Sequence, residues 1–132
     1  MQDSGGLTGA VMFPPFVVKK GNPTMEDYIR HIDYLVKLGG IDGVAVASDY
    51  FGGQSGIIPD EKAKALYKQL IASGSWTEAA YTEPPWVYPQ GVELPKTFYN
   101  LTGGLMKHGY SEDEIRKILG GNWMRVMKEV WG

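Results

Sequence analysis

Asp49 is the residue that the sequence places where chemistry could be done. It follows the apolar run Val44-Ala45-Val46-Ala47 and Ser48, and a stretch with Gly52, Gly53 and Gly56 comes directly after it. A short apolar run bounded by turn signals reads as a buried strand, here over residues 43–48. A carboxylate at a strand's C-terminal end, beside a loop able to admit a ligand, can take a proton from water and pass it to a leaving group. The same residue could equally do no more than cap loop amides where a strand meets solvent. Residue types and spacing leave both readings open.

Few other residues offer chemistry. There is no cysteine, which removes disulfides, thiol nucleophiles and thiolate zinc sites together. Only two histidines occur, His31 and His108, and no His-x-His, His-x-Asp or His-Glu-x-x-His spacing exists. His31 lies beside the apolar face of a predicted helix and reads as a packed or solvent-edge residue. His108 lies near a helix C-terminus, where a cation is favoured. The stretch "DYFGGQSG" before Asp60 could cradle an anion at a helix N-terminus. No Gly-Lys-Ser/Thr follows it, however, and no GxGxxG is present.

The whole chain is short enough for one unit over residues 1–132, and its net charge is -2. No basic patch points to nucleic acid. No apolar run approaches the roughly 20 residues needed to span a bilayer. The segment Met1-Gln2-Asp3-Ser4-Gly5-Gly6 lacks a signal peptide's basic and apolar regions, so a cytoplasmic location is the default expectation.

The elements that must position Asp49 follow from periodicity. Residues 7–13 read as a first buried strand, which Pro14-Pro15 should stop. Residues 24–38 form the clearest helix, with Thr24 and Asp27 as a capping box and Met25, Tyr28, Ile29, Ile32, Leu35 and Val36 on one face. Gly39-Gly40 end it. Strand, helix, strand in this order predicts a parallel βαβ unit. Further helices are expected over 60–73, capped by Asp60, and over 99–108, 111–119 and 122–131. Ser111 and Glu114 make a second capping box, and Trp123, Val126, Met127 and Val130 should share a face. Residues 75–98, rich in proline and aromatics, should wrap over a surface and bury Trp86 and Tyr88.

Three segments together resemble the membrane dipeptidase (renal dipeptidase) family. They are "YIRHIDYLVKLGGIDGVAVASDYFGG", "PPWVYPQGVELPKTF" and "NLTGGLMKHGYSEDEIRKILGGNWMRVMKEV", in the family's order. The resemblance implies an α/β fold, the C-terminal part of a (β/α)₈ barrel of the metal-dependent hydrolase type. Residues 7–13 would be its seventh strand and 43–48 its eighth. It also implies zinc-dependent hydrolysis of dipeptides, with two zinc ions in the full-length family and Asp49 as the aspartate that acts on the attacking water.

The segments that carry the family's zinc ligands have no counterpart here, so no zinc is expected to bind this chain alone. The motif also departs from the family's Gly-Ser-Asp-Phe/Tyr-Asp-Gly. Phe51 replaces a second acid, and Ala45 and Ala47 replace glycines. Gly43 stands where histidine is frequent, and Gly103 where a glutamate is common. The expected partners are a dipeptide, if the barrel is completed, and either a missing N-terminal half or further copies of the chain. The alternative is a non-catalytic, self-associating protein, because two strands alone leave open edges.

Overall fold

Two parallel strands lie side by side, β1 (Thr8–Val11) and β2 (Val44–Ala47), with Thr8 opposite Val44 and Val11 opposite Ala47. The structure, a computed structural model, describes residues 5–50 and 59–132. Both strands are shorter than the expected 7–13 and 43–48. Met12 still donates its N–H to the Ala47 carbonyl at 3.0 Å, so pairing continues one residue past β1. Pro14-Pro15 do not simply stop the chain: they open the one-turn helix α1 (Pro14–Val17). Proline lacks an N–H and has a preset φ, and both suit a first helical turn.

The crossover between the strands is α2 (Met25–Gly39). Asp27 donates its N–H to Thr24 Oγ1 at 3.1 Å, and the Thr24 N–H donates to Asp27 Oδ2 at 2.9 Å, which closes the capping box. The Thr24 hydroxyl also donates to Asp27 Oδ2 at 2.7 Å, and this bond, with the one from the Thr24 N–H, holds the Asp27 carboxyl below its ordinary range. Gly40, with φ 67°, ends the helix, and a short 3₁₀ turn over Ile41–Gly43 leads into β2. Tyr28, Ile29 and Ile32 are buried in one core with Ala10, Met12, Val44 and Val46. The Tyr28 hydroxyl donates to the Ala10 carbonyl at 2.7 Å, which satisfies its polar end inside that core.

The helix expected from Asp60 runs over Asp60–Ala72 as α3, but Asp60 is its first residue and not its cap. Pro59 holds the cap position, which no side chain serves. Of its apolar residues only Ala63 is fully buried. Ala63 joins Phe13 and Trp86 in a second cluster, with Tyr67, Trp76 and Tyr81 packed against it. Within that cluster Trp76 and Tyr81 stack with ring centroids 4.1 Å apart. Trp86, Tyr88 and Val92 are all buried, so the proline-rich stretch is part of the core's wall.

α4 (Asn100–Lys107) packs on α2, and α5 (Glu112–Arg116) follows through the Ser111–Glu114 capping box. The two helices expected over 111–119 and 122–131 are not separated by a loop. They meet at a kink: Gly120, with φ 176° and ψ -23°, lies outside helical geometry, and Lys117–Gly121 carry the chain across it from α5 to α6 (Asn122–Trp131). The predicted apolar face of the last helix is only half used. Trp123 and Val126 are partly buried, whereas Met127 and Val130 are exposed. The core side of α6 is set by Asn122, which is buried and donates from Nδ2 to the carbonyls of Ile41 and Val44 at 2.7 Å each.

Candidate active site at the strand ends

Asp49 lies two residues past the end of β2, and it is exposed. Among the described residues it is the one non-glycine with positive φ, at 52°. Left-handed backbone is unfavourable for residues with a Cβ, and Asp tolerates it better than most. No described group is hydrogen-bonded to its carboxylate. Its backbone, by contrast, is held: the Tyr88 hydroxyl donates to the Asp49 carbonyl. The next residue reaches back the other way. The Tyr50 hydroxyl donates to the Val92 carbonyl at 2.6 Å, and the rings of Tyr50 and Tyr88 meet edge to face at 5.0 Å. Burial pushes the Tyr50 phenol up to about 12, and the Glu93 charge adds to that, so it remains a donor at neutral pH.

The segment that supplies Tyr88 is anchored in turn. Gln90 donates its N–H to the Pro23 carbonyl at 3.0 Å, and Asn100 Nδ2 donates to the Gly91 carbonyl at 2.7 Å. The proline-rich stretch is thereby tied to the approach to α2 and to the start of α4. Sequence reading did not find this brace. The signal available was the density of aromatics among prolines, which marks burial but not a hydroxyl's partner.

The histidines are engaged elsewhere. His31 is on α2 and donates from Nε2 to the Val17 carbonyl at 2.9 Å. His108 donates from Nε2 to Glu26 Oε2 at 2.6 Å, and its Nδ1 lies 3.4 Å from Asp33 Oδ2. The Tyr110 hydroxyl donates to the other Asp33 oxygen at 2.7 Å. The hydrogen bond to Glu26 raises the His108 imidazole above its ordinary value, and the charge of Asp33 adds to this. This network ties the C-terminal end of α4 and the turn after it to Glu26 and Asp33 on α2.

Among the described residues no three His, Asp or Glu side chains come together as a metal site. The described donors therefore do not fit a zinc ion. Residues 51–58, which include the Phe51 departure, Gly52, Gly53 and most of the anion-loop reading, lie outside the described residues.

In parallel α/β folds functional groups gather beyond the C-terminal ends of the strands, the place that Asp49 occupies. The model of the membrane dipeptidase family (peptidase family M19) matches residues 1–83 and 84–131, and the chain belongs to that family. The crystal structure of an amidohydrolase from Pseudomonas aeruginosa is similar, with TM-score 0.78 and 31% identity, over 99% of this chain and 38% of that one. A metallopeptidase of the same family, the dipeptidase AC, shares the fold with TM-score 0.67 and 21% identity, over 30% of its length. A Klebsiella pneumoniae protein described as "Uncharacterized protein in pqqA 5'region" is 28% identical over 135 residues. This chain spans 38% of the length of that curated relative. No helix among the described residues is long and apolar enough to cross a membrane.

Proposed function

We propose that this chain is the C-terminal part of a zinc-dependent dipeptidase barrel. β1 and β2 take the seventh and eighth strand places, and Asp49 is the carboxylate that handles the proton of the attacking water. The observation that carries the reading is Asp49 itself: exposed, left-handed, beyond the end of a parallel strand, and with no described group bonded to its carboxylate. A carboxylate so placed accepts the water's proton as the peptide carbonyl is attacked and returns it to the departing amine. Binding and orienting the dipeptide, and holding zinc, fall to the rest of the fold.

The test is dipeptide hydrolysis, with zinc added, by the 132-residue chain and by the chain complemented with the remainder of a family barrel. Asp49→Asn is the control in both. We expect no turnover from the chain alone, and turnover in the complemented protein that Asp49→Asn abolishes. Turnover retained by that variant would remove Asp49 from the mechanism. Turnover by the short chain, lost in the variant, would place the zinc ligands within these 132 residues and overturn the division of labour.

A second reading, self-association without catalysis, is favoured by one observation. Among the described residues β1 has a strand neighbour on one side only, and Val11 in that strand is 36% exposed. An open strand edge is a template for pairing with another chain. Concentration-dependent sedimentation of the chain, abolished by Val11→Lys, would support this reading; a monomer at all concentrations would count against it.

A further inference from the structure

We propose that Tyr88 is a positioning residue for the Asp49 carboxylate; this rests on reading Asp49 as the proton-handling group. Three observations lead to it. Asp49 occupies a backbone region that is unfavourable for a residue with a Cβ, so the surrounding structure must hold it there. The group that holds its carbonyl is a phenol 39 positions further along the chain, on a residue only 2% exposed. The peptide that follows is bracketed from the opposite direction, since Tyr50 donates to Val92 within the same loop.

The two phenols act as crossed struts. One runs from the loop to the strand end, the other from the strand end to the loop. The backbone dihedrals of Asp49 set the direction of its Cα–Cβ bond, and that direction sets where the carboxylate can reach. A ring at position 88 would suffice for packing, because the contact with Tyr50 is ring edge to ring face. The hydroxyl adds what packing does not require: a directed bond to the carbonyl of the one non-glycine residue with positive φ among the described residues. Because the loop is pinned at Gln90 and Asn100, the strut is braced at its far end. Tyr88 touches neither substrate nor metal in this reading, and it acts only through Asp49.

The experiment uses Tyr88→Phe, which keeps the ring, with Tyr50→Phe as a second variant that cuts the opposite strut. In the 132-residue chain the first readout is the intraresidue HN–Hα cross-peak of Asp49 by NMR, which is strong at positive φ. We expect that signature in the wild type and its weakening in both variants. In the complemented protein, Tyr88→Phe should lower kcat by about ten- to a hundredfold with KM within about twofold. A role in stability alone would change neither the Asp49 signature nor kcat in the folded fraction. Positive φ and kcat both retained in Tyr88→Phe, while Asp49→Asn abolishes turnover, overturns this inference and leaves the functional reading intact. Turnover retained in Asp49→Asn overturns the functional reading itself, whatever Tyr88→Phe does.

Discussion

The indole N–H of Trp123 donates to the carbonyl of Val46 at 3.0 Å, from the last helix to the outer edge of β2. The Ala47 carbonyl accepts from Met12 and so faces β1; by the alternation of a strand, the carbonyls of Val44 and Val46 face away from it. Asn122 serves the first and Trp123 the second. The helix therefore covers this edge of β2, and a first strand that completes a barrel has to displace it to pair there. Trp123→Phe should cost about 1–2 kcal/mol, because it leaves the Val46 carbonyl unpaired. It should also raise self-association through the exposed edge. Urea unfolding and sedimentation velocity measure the two effects, and no change in either would mean that the indole bond is incidental.

Asn122 has a stricter role. It is 2% exposed and bonds two carbonyls, those of Ile41 and Val44. Asn122→Leu keeps the volume but strands both acceptors, and should cost about 2–4 kcal/mol. Urea unfolding should show a lower midpoint at an unchanged slope.

Gly103 and Gly104 are neighbours in α4 with opposite expectations. A Cβ at Gly104 would lie 2.5 Å from Met25 Sδ and 2.9 Å from Ile29 Cδ1, at the α2–α4 contact. Met25 is flexible, but Ile29 is buried, so Gly104→Ala should destabilise by about 1–3 kcal/mol. A Cβ at Gly103 meets nothing within 4 Å. Gly103→Ala should therefore stabilise by about 0.5–1 kcal/mol through helix propensity. Thermal melts of the two single variants should shift in opposite directions.

His108 gives stability a pH dependence. The groups facing it are Glu26 and Asp33 on α2, with Arg30 paired to Glu26 and Tyr110 bonded to Asp33. Its folded-state value lies above the ordinary 6.5, chiefly through the Glu26 hydrogen bond. The folded state thus holds the proton more tightly than the unfolded state. Its contribution is complete below 6.5 and is lost as pH rises through the raised value. The same hydrogen bond lowers Glu26 from its ordinary 4.5, and that contribution is lost as pH falls through the lowered value. Urea midpoints measured from about pH 5 to 9 should decline on the alkaline side in the wild type. His108→Gln should flatten that decline; an unchanged slope would show that other groups cause it.

The order of residues by itself determined the parts whose causes act within a few positions. The capping boxes at Thr24 and Ser111 start helices because donor and acceptor are three residues apart. The apolar spacing of Tyr28, Ile29 and Ile32 buries one face of α2 for the same local reason. The position of Asp49 just past a strand, and the family resemblance of three segments, were equally legible. Local signals misled where a neighbour could not be seen. Pro14-Pro15 begin a turn of helix instead of only ending a strand.

Only the tertiary structure decided how Asp49 is held. Tyr88 is 39 positions from it, Trp123 is 77 positions from Val46, and His108 is 82 positions from Glu26. A hydroxyl, an indole N–H or an imidazole shows in the sequence only that it needs a partner. Which carbonyl or carboxylate it meets depends on how the helices and the proline-rich loop close over the two strands. That closure is set by burial of the shared core, in which residues from β1, α2, β2, the proline-rich stretch, α4 and α5 compete for the same space.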